Sequence, residues 1–283
     1  MQPSLKDIWK VETDLLKEFQ RVCEKYSIKY IASGGTMIGV ARHKGFIPWD
    51  DDVDLMMERS EYNKLLSHSE EFTHPYFLQT WQNDKGYFRC FARLRNSETT
   101  AIQKSELGCK YPYNQGVFID IFPMDVVIDD AELLQQQSKR ANSYLKKALF
   151  YSSFKSRYYK DKNPLKRIIR QTIRTCFSFL MNDEKYLSLY EKECQKYNNT
   201  SSNTLSLLSF QFDNRKHDIL KQDIEQTVYM DFEDIKIPMP KDYDRLLTHK
   251  YGDWKTPVKM PNYHGDIFFD LDKPYTYYIK EKS

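Results

Sequence analysis

Residues Gly34 to Met57 read GGTMIGVARHKGFIPWDDDVDLMM. The paired glycines form a turn through which backbone N–H groups can approach a ligand at a helix start. A short apolar helix follows, then the cations Arg42 and Lys44, and then Asp50, Asp51, Asp52 and Asp54 arrive almost together. On a strand, Asp52 and Asp54 point to one face while Val53 and Leu55 anchor the other in the core. Neighbouring carboxylates resist ionising together unless a cation neutralises them. Hard oxygen ligands favour Mg²⁺, commonly held by one or two carboxylates together with substrate phosphates. The stretch therefore implies metal-assisted phosphoryl chemistry on a strand, turn, helix, strand scaffold.

Two plainer readings fit less well. A solvated acidic face would not be flanked by the core-like Phe46-Ile47-Pro48-Trp49 and Leu55-Met56-Met57. A calcium loop of the EF-hand kind needs a central glycine and a closing glutamate, and nothing after Asp54 supplies that glycine. A third acid stands in Val117-Phe118-Ile119-Asp120-Ile121-Phe122, a run of β-formers ending at Pro123. An Asp in such a run either caps a strand end or meets a cation. Placed beside Asp52 and Asp54, it would complete a three-carboxylate site.

Composition sets wider bounds. The 283 residues suffice for one large or two modest domains, and 29% charged residues suit a folded chain. The five cysteines are scattered, with no C-x-x-C pair, which argues against a disulfide framework or zinc cluster and for a reducing compartment. No apolar signal core and no stretch approaching eighteen apolar residues occurs, so the expectation is a cytoplasmic protein. No base-reading module is present, and no nucleic-acid partner is expected.

Residues 1–128 read as an α/β catalytic half. A helix over Leu5–Tyr26 has its apolar face on Ile8, Val11, Leu15, Phe19 and Val22. Strands are expected at Tyr30–Ala32, Tyr76–Thr80, Gly86–Leu94 and Thr99–Ile102, with a helix at Arg59–Ser67. Residues 129–283 read as mostly helical and packed on the first half, not as an independent domain. Helices are expected over Ala131–Phe150, Asp183–Tyr197 and Lys241–Lys250, with strands at Thr204–Phe210 and Gln226–Met230. Between Lys155 and Arg174, eight Lys or Arg stand against the single Asp161. With Leu165, Ile168, Ile169 and Ile173 at helical spacing, residues 164–180 form a basic amphipathic helix. It suits either an anionic membrane surface or an ordinary core-facing helix with a basic outer side. Arg42, Lys44 and Arg93 are candidate phosphate contacts, since a cation can neutralise phosphate oxygens. Trp49 and Trp81 are candidates for an aromatic cage around a quaternary ammonium.

The order Gly34-Gly35-Thr36, then Ile47-Pro48-Trp49-Asp50-Asp51-Asp52-Val53-Asp54-Leu55, then Phe118-Ile119-Asp120-Ile121-Phe122-Pro123-Met124-Asp125 closely resembles the LicD family of phosphotransferases, which includes the fukutin-related proteins. Ile237 to Tyr243, Tyr251-Gly252-Asp253-Trp254, Pro257 and His264 resemble its closing segment, so matching blocks run from about residue 28 to 265. The resemblance implies an α/β (α+β) fold with a nucleotidyltransferase-like mixed sheet and flanking helices. It implies one or two Mg²⁺, with Mn²⁺ as a substitute, on Asp52, Asp54 and Asp120, and donor phosphate on Gly34, Gly35 and Thr36. His264 matches a family position that could contact phosphate or move a proton. The implied donor is a CDP-alcohol such as CDP-choline, with CMP leaving. The implied acceptor is a sugar hydroxyl of a cell-surface glycan, teichoic acid precursor or lipid-linked sugar at the inner membrane face. Transfer of a whole nucleotide, or binding without turnover, are the competing readings.

Overall fold

The computed structural model describes residues 3–104, 106–107, 113–156, 165, 168–169, 172, 182–259 and 266–280. Helix α1 (Leu5–Lys25) precedes β1 (Ile31–Ala32), α2 (Gly34–His43), β2 (Asp54–Glu58), α3 (Arg59–Leu66), β3 (Tyr76–Gln79), β4 (Ala92–Asn96), β5 (Thr100–Gln103) and β6 (Val117–Val126). Helices α4 (Ala131–Ser156) and α5 (Asp183–Cys194) lead to β7 (Thr204–Ser206), β8 (Ile219–Leu220) and α6 (Lys221–Glu225). The hairpin β9 (Thr227–Phe232) and β10 (Ile235–Pro240), α7 (Tyr243–Tyr251), β11 (Ile267–Asp270) and α8 (Tyr275–Lys280) follow. The central mixed sheet runs β1-β2-β6-β4-β3, with β7 joined to β6 and β8 to β7. Of its pairs, β2 and β6 are parallel and the others antiparallel. The fold is thus mixed α/β, as expected. Among the described residues no helix is long and apolar enough to cross a membrane.

Strand β6 is the spine of this sheet. It is paired by β4 from Val117 to Ile121 and by β2 from Asp120 to Met124, so both sides are engaged at Asp120 and Ile121. Pro123 was expected to end it, yet the strand runs on to Val126. The Asp120 N–H points to Val53 O on the β2 side (2.8 Å), so the N–H that Pro123 lacks would have pointed to the β4 side. There β4 has already ended, at Ala92 opposite Ile121. No ladder bond is lost, which is the condition for proline within a strand.

Three further boundaries differ from expectation. Strand β2 begins at Asp54, not Asp52, because the Asp54 N–H goes to the Thr36 hydroxyl (2.8 Å) and not to a neighbouring strand. Strand β4 begins at Ala92, and the preceding apolar run instead buries Tyr87 in a small cluster with Tyr113, Trp81 and Phe88. Residues 235–240 form β10, whose two prolines are tolerated in a two-stranded hairpin.

The main core joins α1, the sheet, and elements as late as Leu247 and Phe269. A second cluster links α4 and α5 through Ala141, Ala148, Leu187 and Tyr190 to Cys90, Val127 and Leu208. Between the two sits a buried ion network. Arg59, at the start of α3, donates from Nε and Nη2 to both oxygens of Asp125 (2.8 and 2.7 Å) and from Nη1 to Glu191 on α5 (2.9 Å). Trp81 and Asn198 donate to the same carboxylates, Glu191 and Asp125. Burial alone would lower the Arg59 pKa, and the two carboxylates reverse this and raise it. Removing one partner of such a group strands the others in a low-dielectric interior. Arg59→Ala should therefore lower the unfolding free energy by about 3–5 kcal/mol, read from urea denaturation midpoints.

Candidate active site

The geometry of the site follows from strand register. Asp54 on β2 lies directly opposite Asp120 on β6, and Asp120 lies opposite Arg93 on β4. Opposed residues share a face, so two carboxylates and a guanidinium form one row across three strands. Arg93 donates from Nε to Asp120 Oδ1 (2.5 Å) and from Nη2 to Oδ2 (3.2 Å). Its guanidinium also stacks over Phe118, 3.7 Å from the ring centre. Burial opposes the charge on Arg93, and Asp120 restores it. Arg93 therefore orients Asp120 first, and any phosphate would have to share it.

Helix α2 brings its N-terminus to the same place. Gly34 has φ +54°, and a Cβ there would sit 2.8 Å from Asp54 Oδ2. A Cβ on Gly35 would sit 2.7 Å from Asp50 Oδ2. Only glycine permits both this backbone and this approach. The carboxylates lie where the positive end of the helix dipole favours negative charge, which is also where a phosphate would bind. Thr36 is buried, and its hydroxyl accepts the Asp54 N–H, so it shapes the start of β2.

Electrostatics describes the consequence of this crowding. Asp52 is raised well above the ordinary carboxylate range, first by burial and then by Asp54, Asp50, Asp120 and Asp51. Glu12 on α1, 1% exposed, is raised likewise by burial and by Asp52, Asp51, Asp50 and Asp120. Its Oε2 has no hydrogen-bond partner among the described residues. Helix α1 is pinned here by Trp9, whose Nε1 donates to Asp50 O (2.8 Å) and whose ring stacks on Phe46. From the other side comes α7: Lys250 has its pKa lowered by burial against the pull of Asp54. Tyr251 is raised by burial and by Asp54, Asp50 and Asp52. A cavity of about 30 Å³ between α2 and α7 is lined by Gly34, Met37, His217 and Lys250. Burial and the nearby Lys250 and Arg215 push His217 down to about 3, so it is neutral at ordinary pH.

Other expected site residues lie elsewhere. Arg42 stands near the C-terminal end of α2, where it donates to His43 Nε2 (2.9 Å) and to Trp254 O (2.8 Å). It fastens the chain beyond α7, and the cause of its lowered pKa is burial. Lys44 is at the surface, 4.0 Å from Asp231. Trp81 is committed to Glu191, and Trp49 packs against the main core. His264 and the basic residues of segment 164–180 lie outside the described residues. Glu12, Lys250 and Tyr251 were not foreseen as site residues. The signal for Glu12 was present, as an acid inside the apolar stripe Ile8, Leu15, Leu16 and Phe19. Tyr251 stood in the Tyr251-Gly252-Asp253-Trp254 block without a role, and Lys250 gave no signal, because only the tertiary fold carries α7 to β2.

The donor set fits a hard divalent cation. Its acids are hard oxygen donors, the glycines admit close approach to Asp54 and Asp50, and Glu12 keeps an unpartnered buried oxygen. Among the described residues no three acid, His or Cys side chains already converge as a finished ligand cage. Asp120 is already engaged by Arg93.

A family model described as the LicD/FKTN/FKRP nucleotidyltransferase domain matches residues 27–168. The lipopolysaccharide cholinephosphotransferase LicD of Haemophilus influenzae is 28% identical over 253 residues, covering 88% of this chain and 89% of that protein. An uncharacterized protein of Rickettsia prowazekii is 44% identical over 41 residues, 14% of this chain and 15% of that one. The chain belongs to the LicD/FKTN/FKRP family and is an enzyme of LicD type.

Gly34→Ala should cost about 1–3 kcal/mol of stability and displace Asp54, since it combines a left-handed backbone with a 2.8 Å contact. Thermal unfolding checks the first effect. Weakened Mn²⁺ binding checks the second.

Proposed function

We propose that this enzyme transfers phosphocholine, or a closely related phospho-alcohol, from a CDP-alcohol to a sugar hydroxyl of a cell-surface glycan precursor, releasing CMP. The observation that carries the proposal is the row Asp54, Asp120, Arg93 at the N-terminus of α2. The similarity to a lipopolysaccharide cholinephosphotransferase supports the choice of transferred group.

Asp52, Asp54 and Asp120 would hold one or two Mg²⁺, with Mn²⁺ as a substitute. Bound there, such cations would supply charge to neutralise the pyrophosphate and the developing oxyanions. The chain's own groups do the rest. The backbone N–H groups of Gly34 and Gly35 and the Lys250 ammonium offer positive potential to the donor phosphates. Arg93 holds Asp120 by two hydrogen bonds, so one carboxylate is fixed in orientation to accept the proton of the attacking hydroxyl. Trp9 and Thr36 keep the acidic segment against α1 and α2. Because Lys250 is half-buried beside Asp54, water competes poorly for its charge.

A peripheral contact with an anionic membrane through 164–180 belongs to the same proposal, since lipid-linked acceptors are made at such a surface. Leu165, Ile168 and Ile169 are 70, 61 and 52% exposed, which suits that contact.

The test is incubation with CDP-choline, Mg²⁺ and acceptor glycan, following CMP and labelled phosphocholine. Release of CMP with label on the glycan, abolished by EDTA, is the expected result. Pyrophosphate released from CTP, with no CMP from CDP-choline, would favour nucleotidyl transfer instead. Asp54→Asn should lower turnover by at least 10³-fold while the protein stays folded, in the range seen when a transition-state charge partner is lost. Lys250→Met should raise the KM for the donor about tenfold with a smaller change in kcat, corresponding to about 1.4 kcal/mol of binding.

A further inference from the structure

A second cavity opens beyond the acidic row, on the same face of the sheet. Asp54, Met56 and Glu58 alternate with buried Leu55 and Met57 along β2, so their side chains share one face. Register carries that face across the sheet. Asp54 lies opposite Asp120, Glu58 opposite Met124, Val126 opposite Leu205, and Leu205 opposite Ile219. The small cavity beside Gly34 is lined on this face by Met56 and Ile219. The second, of about 320 Å³, is lined by Glu58, Met124, Val126 and Leu205. Glu58 is four residues from Asp54, roughly 13 Å at the usual rise of a strand.

The other walls are polar and uncommitted. Ser60 and Asn63 come from α3, Gln195 and Asn199 from the loop after α5. Among the described residues, neither these four side chains nor Glu58 has a hydrogen-bond or ion-pair partner. Two other lining groups are committed, Arg59 to Asp125 and Glu191, and Asn198 to the Val126 N–H and Asp125. The one lining charge left unpaired is therefore the Glu58 carboxylate, which repels a phosphate. Amides and hydroxyls both donate and accept, as sugar hydroxyls do. An apolar floor of Met124, Val126 and Leu205 suits the C–H face of a sugar ring, and the volume lies in the ~300–1,000 Å³ range of small-molecule sites.

We propose that this cavity is a sugar subsite for the acceptor glycan. It holds a unit further along the chain than the one whose hydroxyl reacts at Asp120. The role as acceptor subsite rests on the transfer reading given above. The cavity itself would bind sugar without donor or metal.

Saturation-transfer NMR with cellobiose, lactose and N,N′-diacetylchitobiose, without donor or metal, tests this on wild type, Asp54→Asn and Asn63→Trp. Asn63 is exposed on α3, and an indole there fills the cavity. The expected result is a signal from at least one disaccharide with wild type and Asp54→Asn, lost in Asn63→Trp at an unchanged melting temperature. No signal with wild type, or equal signals with wild type and Asn63→Trp, would overturn the proposal. If Asn63→Trp does not fold, Asn199→Trp is read in the same way. Sugar binding lost in Asn63→Trp, in a protein that turns over no CDP-alcohol, would overturn the transfer reading and keep the sugar site. Transfer to glycan with an acceptor KM unchanged by Asn63→Trp would overturn only the inference.

Discussion

Mutual repulsion among carboxylates is the constraint around which this protein is built. Asp54 and Asp120 are opposed on adjacent parallel strands, and Asp50, Asp51, Asp52 and Glu12 crowd the same half-buried corner. Such a cluster costs folding free energy in the absence of a cation, because burial and like charge both disfavour ionisation. The scaffold tolerates it through three devices. Arg93 clamps Asp120, the α2 dipole faces Asp54 and Asp50, and glycines at 34 and 35 remove the side chains that would collide with those carboxylates. Each device holds a negative charge in place without cancelling the whole cluster. That residual charge is what the proposed cation would neutralise.

The rest of the fold secures this corner. The Arg59, Asp125 and Glu191 network ties the far end of β6 to α5, so the spine strand is held at Asp120 and again at Asp125 by ion pairs of different purpose. The first pair set is closed and fully hydrogen-bonded, and suits a structural role. The second leaves Asp54 and Asp52 in excess negative potential. Helix α7 and the following Trp254 carbonyl, held by Arg42, bring Lys250 over the cluster from a segment nearly two hundred residues later.

Much of this was readable in the sequence, and the failures have physical causes. The Gly-Gly turn, the acidic strand and Asp120 were legible because local pattern and core-like flanks agree about them. The alternation at Asp52-Val53-Asp54 overstated the strand, since a side-chain hydroxyl, Thr36, takes the N–H that a neighbouring strand would have taken. Pro123 misled because whether it breaks a strand depends on how far the partner strand extends, which is not a local property. Arg93 was legible as a cation on a strand, but its engagement with Asp120 is a matter of register. Arg42 and Lys44 are near the aspartates in sequence and are carried away by the length of α2. Glu12 and Lys250 are the reverse case, distant in sequence and brought to the site by packing.

The most direct test of the account is an anomalous difference map at the manganese edge from crystals soaked with Mn²⁺ and a CDP-alcohol. The account predicts a peak among Asp52, Asp54 and Asp120, with the donor pyrophosphate against the start of α2. A peak elsewhere, or a bound donor with no metal at these carboxylates, would contradict it.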